Sequence, residues 1–232
     1  MKEESLLLLS DLQKLINQVV LIDYIIIILG DIKMSTDNSK KLTGKDFINI
    51  GVFTAIYLAV TMVVSCTLGM IPLGYMALSI VVPIIGGIPM MLFYAKVKKF
   101  GMLLIFEIIF GLVMIFTGMG FYLLIWGVVT GLIAELIMKG GKYSSTNLCV
   151  LSYAVLSISI SGNYVNQLTA SSEWVAEKAT TFGEAYMNAT QGYLSTWWVF
   201  PLLILLCFIG GLIGGFLGKA VLKKHFKRSG LV

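Results

Sequence analysis

The stretch KLTGKDFINIGVFTAIYLAVTMVVSCTLGM, Lys41–Met70, sets the class of this protein. From Phe47 to Met70 it carries no charge over 24 residues, and roughly 20 apolar residues cross a bilayer core as helix. Lys40, Lys41 and Lys45 stand just before it, and small residues recur inside it at Gly51, Ala55 and Ala59. Five more apolar segments follow, at 73–95, 100–117, 121–138, 146–164 and 197–222. The second is interrupted by Pro83, Gly86-Gly87 and Pro89. The expectation is an all-α integral membrane protein, a six-transmembrane-helix bundle.

Composition agrees. Of 232 residues, 58% are hydrophobic and 12% charged, with a mean hydropathy of +0.92. Soluble domains carry roughly 25% charged residues, so too little charge remains to coat a water-soluble particle. The net charge of +5 fits the cytoplasmic loops of a membrane protein and implies no nucleic acid. Cys66, Cys149 and Cys207 lie singly in apolar runs without metal-ligand spacing, and read as buried free thiols.

Charge placement sets an orientation. Lysines precede span one, lie between spans two and three (Lys96, Lys98, Lys99), lie between four and five (Lys139, Lys142), and follow span six (Lys219, Lys223, Lys224, Lys227, with Arg228). The other connections are uncharged, or acidic through Glu173, Glu177 and Glu184 against Lys178 alone. The positive-inside rule then places both termini of the bundle in the cytoplasm. Residues 34–46 become a cytoplasmic lead-in, 165–196 an extracellular loop and 223–232 a basic cytoplasmic tail able to touch anionic lipid. Residues 1–33 read apart. Their apolar run Val19–Leu29 contains Asp23 and is too short to span. They form a surface helix or reflect an upstream start, with Met34 as the alternative.

Several chemistries are excluded. No GxxxxGK[ST] loop is present, and the sole histidine, His225, lies beyond the last span. Nucleotide hydrolysis, a HExxH zinc site and a Ser-His-Asp triad are therefore absent. No cofactor or metal is expected.

Gly51, Ala55 and Ala59 share one helical face. Such a strip lets helices approach closely in lipid, either within this bundle or against another subunit. Gly210, Gly211, Gly214, Gly215 and Gly218 make a similar face in span six, read as internal packing. Intramembrane acids are functional candidates. Glu107 is placed about 10 Å from the inner boundary at 1.5 Å per residue. Glu135 is expected to pair with Lys139 four residues on.

The outer ends of the spans gather Tyr75, Thr117, Tyr122, Trp126, Ser161, Asn163, Tyr164, Asn166, Gln167, Tyr193, Thr196, Trp197 and Trp198. The aromatics suit an interfacial belt. Together with the amides they also suit capture of a flat, polar small molecule. In the long loop, Trp174, Val175, Ala179, Phe182 and Tyr186 recur at helical spacing, which predicts a short amphipathic helix serving as a lid or resting on lipid. The sequon Asn188-Ala-Thr190 is discounted.

The run Lys41–Gly51 followed by Ala55-x-x-x-Ala59 resembles the start of the substrate-binding S components of energy-coupling factor (ECF) transporters. More narrowly it resembles the S-component family called MptD or Trep_Strep, over roughly Lys40 to Arg228. That resemblance implies a bundle without enzymatic activity in a bacterial cytoplasmic membrane. It would capture a vitamin or related micronutrient near the outer face. Its partners would be a membrane T component and, through it, two ABC ATPase subunits. Gly51, Ala55 and Ala59 would be the docking face. The pocket carries over by region only, to Tyr75, Thr117, Tyr122, Trp126, Asn163, Tyr164, Asn166, Gln167, Tyr193 and Trp197. Two other readings stand beside it: an intramembrane enzyme using Glu107 and Glu135, and a self-contained channel or carrier.

Overall fold

The computed structural model describes residues 42–96, 98–118 and 121–228. The expected extension at 1–33, the Met34 start and most of the lead-in lie outside the described residues. The described chain is helical: α1 Gly44–Leu68, α2 Pro72–Lys96, α3 Met102–Phe116, α4 Tyr122–Gly140, α5 Thr146–Leu168, α6 Ser172–Phe182, α7 Glu184–Leu194 and α8 Val199–Arg228. Five of these are long and apolar enough to cross a membrane: α1, α2, α4, α5 and α8.

The third expected span is shorter than the rest. α3 has 15 residues, about 22 Å of helix against a hydrocarbon core of roughly 30 Å. Two glycines trim it. Gly101 (φ 94) precedes its first residue and Gly118 (φ 81) follows Thr117, and both adopt backbone that other residues avoid.

The helices run up and down, and their lysine-bearing ends meet. Lys99 bonds Asp46 at 2.8 Å, joining the α2–α3 link to the start of α1. Asp46 also accepts from the backbone N–H of Thr43 at 2.7 Å, fastening the first turn of α1. Lys219 of α8 donates to Asn147 of α5 at 2.8 Å, and Lys139 of α4 lies 5.2 Å over the Phe100 ring.

Glycine makes the central seam. A Cβ built on Gly87 of α2 would overlap the backbone of Gly214, one on Gly210 would meet the Ile80 carbonyl at 2.7 Å, and one on Gly218 would meet the Met91 side chain at 2.8 Å. On the other side of α8, Gly211 and Gly215 face Ala154, Ser157 and Val150 of α5. Without side chains between them the backbones approach closely, which is how helices gain packing energy in lipid. The span-six glycine face is therefore internal.

Aromatic rings fill the space between α1, α2 and α3. Phe53, Tyr57, Phe93, Phe106 and Phe110 are buried, with successive ring centroids 5.5–6.3 Å apart. Buried hydroxyls find carbonyls or one another, as they must away from water. Tyr153 donates to the Pro83 carbonyl at 2.6 Å, and Ser152 to the Ala134 carbonyl at 2.8 Å beneath Tyr94. Cys149 and Cys207 are buried, but Cys66 is exposed on α1, which corrects the expectation for that thiol.

The long loop also differs from expectation. It forms two helices, not one, because Gly183 (φ 90) breaks the chain between them. α6 buries no residue. α7 is the anchored half. It buries Met187, Thr190 and Leu194, and the Tyr186 hydroxyl donates to the Gly69 carbonyl at 2.6 Å. Burial raises the Tyr186 pKa, which keeps it a donor.

Candidate functional site

Three features are built from the residues singled out above: a bare strip on α1, a polar and aromatic cluster at the end opposite the lysine-rich one, and two acids between α3 and α4.

The strip is outward-facing. Gly51, Ala55 and Ala59 are all exposed, while Phe53, Tyr57 and Val60 of the same helix are buried. A Cβ on Gly51 would meet nothing within 4 Å. Val52, Val63 and Cys66 are also exposed, and Cys66 stands seven residues past Ala59, on the same face. α1 therefore buries Phe53, Tyr57, Val60 and Val64 and presents the small residues outward, flanked by exposed Phe47, Ile48, Val52 and Val63.

At the end opposite the lysine-rich one, Tyr164 is buried and donates to the Tyr75 carbonyl at 2.9 Å. Its ring meets Tyr75 edge-on at 5.1 Å. Met76, Leu194 and Leu203 complete that cluster. Trp126 Nε1 donates to Ser161 Oγ at 2.8 Å. Tyr122 is partly buried and stacks on Phe121 at 4.4 Å. Asn163, Asn166 and Gln167 are partly buried along the end of α5. Thr117, Tyr193 and Trp197 are exposed, Trp197 at 85%, and Thr117 donates to the Met114 carbonyl at 2.8 Å within its own helix. The end thus brings Tyr75 to Tyr164, and Trp126 to α5.

α5 changes character at this level. Residues Ile158–Ser161 form a 3₁₀ turn inside the rod, a tightening that often marks a functional position. Ser157, Ser159 and Ser161 lie at or in it, all buried. The alternation Ser157-Ile-Ser159-Ile-Ser161 was the available signal in the sequence, and only Ser161 was singled out from it.

The two acids have different surroundings. Glu135 is fully buried, and the expected pair with Lys139 does not form. Its Oε2 accepts the backbone N–H of Leu103 at 2.9 Å, and its Oε1 accepts the Tyr143 hydroxyl at 2.7 Å. Glu135 therefore caps the first turn of α3, where unpaired N–H groups and the helix dipole favour a carboxylate. Tyr143 reaches it from a turn in which Lys142 (φ 50) and Tyr143 (φ 55) both take left-handed backbone, a conformation that needs support from its surroundings. Burial, then the neighbouring carboxylate, raises the Tyr143 pKa. Replacing Glu135 with alanine is expected to lower stability by about 2–3 kcal/mol, because two donors lose their acceptor. Lys139→Ala is expected to cost less than about 0.5 kcal/mol. Thermal unfolding in detergent checks both, and comparable losses would restore the ion pair.

Glu107 is 2% exposed. Ser159 Oγ donates to its Oε1 at 3.2 Å, and its Oε2 has no partner. Gly127 and Gly131, one turn apart on α4, make the space it occupies. Glu107 and Glu135 thus hold separate partners. Among the described residues no group of three or more His, Cys, Asp or Glu could hold a metal ion.

No curated protein and no solved structure matches the chain. One family model does, over residues 44–228, that is, from the first residue of α1 to the last of α8. The chain is thus a bacterial integral membrane protein and belongs to the Trep_Strep family, described as hypothetical bacterial integral membrane proteins.

Proposed function

We propose that this chain is the substrate-capturing S component of an ECF transporter. It takes up a vitamin-like micronutrient at the outer face and docks on a T component for ATP-driven release inside. The observation that carries this reading is the exposed strip of Gly51, Ala55 and Ala59 on a helix that buries Phe53, Tyr57, Val60 and Val64 on its opposite side. In lipid an apolar face gains nothing from hiding, so a flat strip is useful only where another helix packs against it.

Further features support it. Lysines alternate with uncharged or acidic connections, which supports a six-span topology with both bundle ends in the cytoplasm and α3 as the short crossing. The Tyr75–Tyr164 contact, which packs against Leu194 of α7, then lies toward the outer face. Asn163, Asn166 and Gln167 offer donors and acceptors there. The separate partners of Glu107 and Glu135 favour binding over acid–base chemistry, which needs groups within hydrogen-bond reach of one reacting atom.

Reconstitution tests the proposal. Proteoliposomes holding this chain with the T component and both ATPases are expected to accumulate cargo only with ATP inside the module's reach. Vesicles holding this chain alone are expected to show none. Flux through the chain alone would indicate a channel or carrier. Asn163→Ala is expected to weaken cargo binding by about 1–3 kcal/mol, the cost of a lost polar partner, read by titration of the purified chain. Unchanged affinity would place the pocket elsewhere.

A further inference from the structure

Among the described residues, two buried side-chain polar atoms have no hydrogen-bond partner: Glu107 Oε2 and Gln167 Oε1. Both are acceptors. Buried polar atoms are nearly always paired, and each exception calls for an explanation. Here the exceptions share a sign, so the missing partner is a donor.

Their placement is specific. Glu107 projects from α3 against α4. A Cβ on Gly127 would stand 2.6 Å from Oε2, and one on Gly131 would stand 3.2 Å from Cγ. The carboxyl therefore depends on both glycines for its position. Ser159 supplies one donor, to Oε1. The nearby Tyr153 hydroxyl is already committed to the Pro83 carbonyl. Ser159 belongs to the 3₁₀ turn of α5, and Asn163 and Gln167 follow it four and eight residues on, toward the end opposite the lysine-rich one. Eight residues of helix rise about 12 Å. One empty acceptor thus lies near mid-bundle and the other about 12 Å nearer the C-terminal end of α5. The deep group is a carboxyl in a low-dielectric setting, where a positive charge is the partner that best offsets the burial of its ionised form.

Resting on the substrate-capture reading, we propose that the cargo is an elongated small molecule whose cationic, N–H-bearing nitrogen (a protonated amine or amidinium) binds Glu107 Oε2, with a second donor toward Gln167 Oε1. Glu107 becomes the specificity-determining residue of the pocket. An anionic end at this depth meets like charge, and a neutral isostere loses the charge-assisted bond.

Three planar probes of one shape test this on the full chain in detergent: benzamidinium, benzamide and benzoate. At about 10 mM, benzamidinium is expected to raise the wild-type Tm by about 3 °C or more, benzamide by less, and benzoate not at all. Glu107→Gln, which keeps the shape and removes the charge, is expected to lose the benzamidinium shift. A benzoate shift equal to or above that of benzamidinium, no shift with any probe, or a full benzamidinium shift in Glu107→Gln would overturn the proposal. Should Glu107→Gln fail to fold, the order of the three probes on wild type decides alone. Recovery of the T component with the wild-type chain separates the two claims. The cation order without that partner leaves this site standing and removes the transporter reading, and the partner without the cation order does the reverse.

Discussion

Ala55→Trp is expected to abolish recovery of the T component and ATP-driven uptake, while the purified chain binds its cargo as wild type does. The strip that includes Ala55 is exposed along α1, so an indole there meets lipid in the isolated chain and disturbs no core contact. In a complex it separates two helices that must touch through backbone and small side chains. Overpacking of a close interface costs about 1–3 kcal/mol or more, and 2 kcal/mol corresponds to about a 30-fold loss of affinity. Gly51→Ala is the matching control. Its Cβ meets open space, so the stability of the isolated chain is expected to stay unchanged. Affinity capture on tagged Ala55→Trp measures the effect. Undiminished recovery of the T component would remove the strip from the docking surface.

The second large effect concerns the bundle itself. Gly214→Leu is expected to prevent accumulation of the folded chain, since even a single added carbon at Gly214 falls on the backbone of Pro83 and Ile84 in α2. The opposing atoms are main chain, and the Pro83 carbonyl among them is held by the Tyr153 hydroxyl, so they cannot swing aside as a flexible side chain would. Parting α2 from α8 loses the packing along Gly210, Gly214 and Gly218 together, well beyond the roughly 1–3 kcal/mol of ordinary overpacking. Gly192→Leu, at an α7 position with nothing within 4 Å, is expected to fold normally. Yield and monodispersity on size-exclusion chromatography compare the two. Equal yields would mean that the α2–α8 seam is looser than described.

The helical segments were legible in the sequence because apolar runs of about 20 residues with at most one charge leave few alternatives in lipid. Helix ends fell within a few residues of expectation, apart from α5 and α8, which run past it. The glycines of α8 were legible as packing for the same physical reason, since four-residue spacing puts them on one face. What stayed hidden depends on residues distant in the chain. The role of Glu135 comes from the Leu103 amide and from a left-handed turn at Lys142-Tyr143, and neither is visible from its own helix, where Lys139 was the obvious neighbour. The room around Glu107 is made by Gly127 and Gly131 on another helix, and its donor by a serine 52 residues away. The split of the long loop into α6 and α7 turns on one glycine with positive φ, whereas the apolar periodicity runs across it. The end cluster was legible as a set of residue types, but not as contacts, because the pairs Tyr75–Tyr164 and Trp126–Ser161 join different spans.

Cys66 allows the most direct test of the central claim, that α1 is the face through which this chain meets its energising partner. It is exposed beside the strip, while Cys149 and Cys207 are buried, so a thiol-reactive photocrosslinker marks Cys66 selectively in the wild-type chain. Irradiation in membranes that contain the T component and both ATPases is expected to yield one covalent adduct with the T component, lost in Ala55→Trp. Adducts with lipid alone, or with the T component at equal yield in Ala55→Trp, would contradict it.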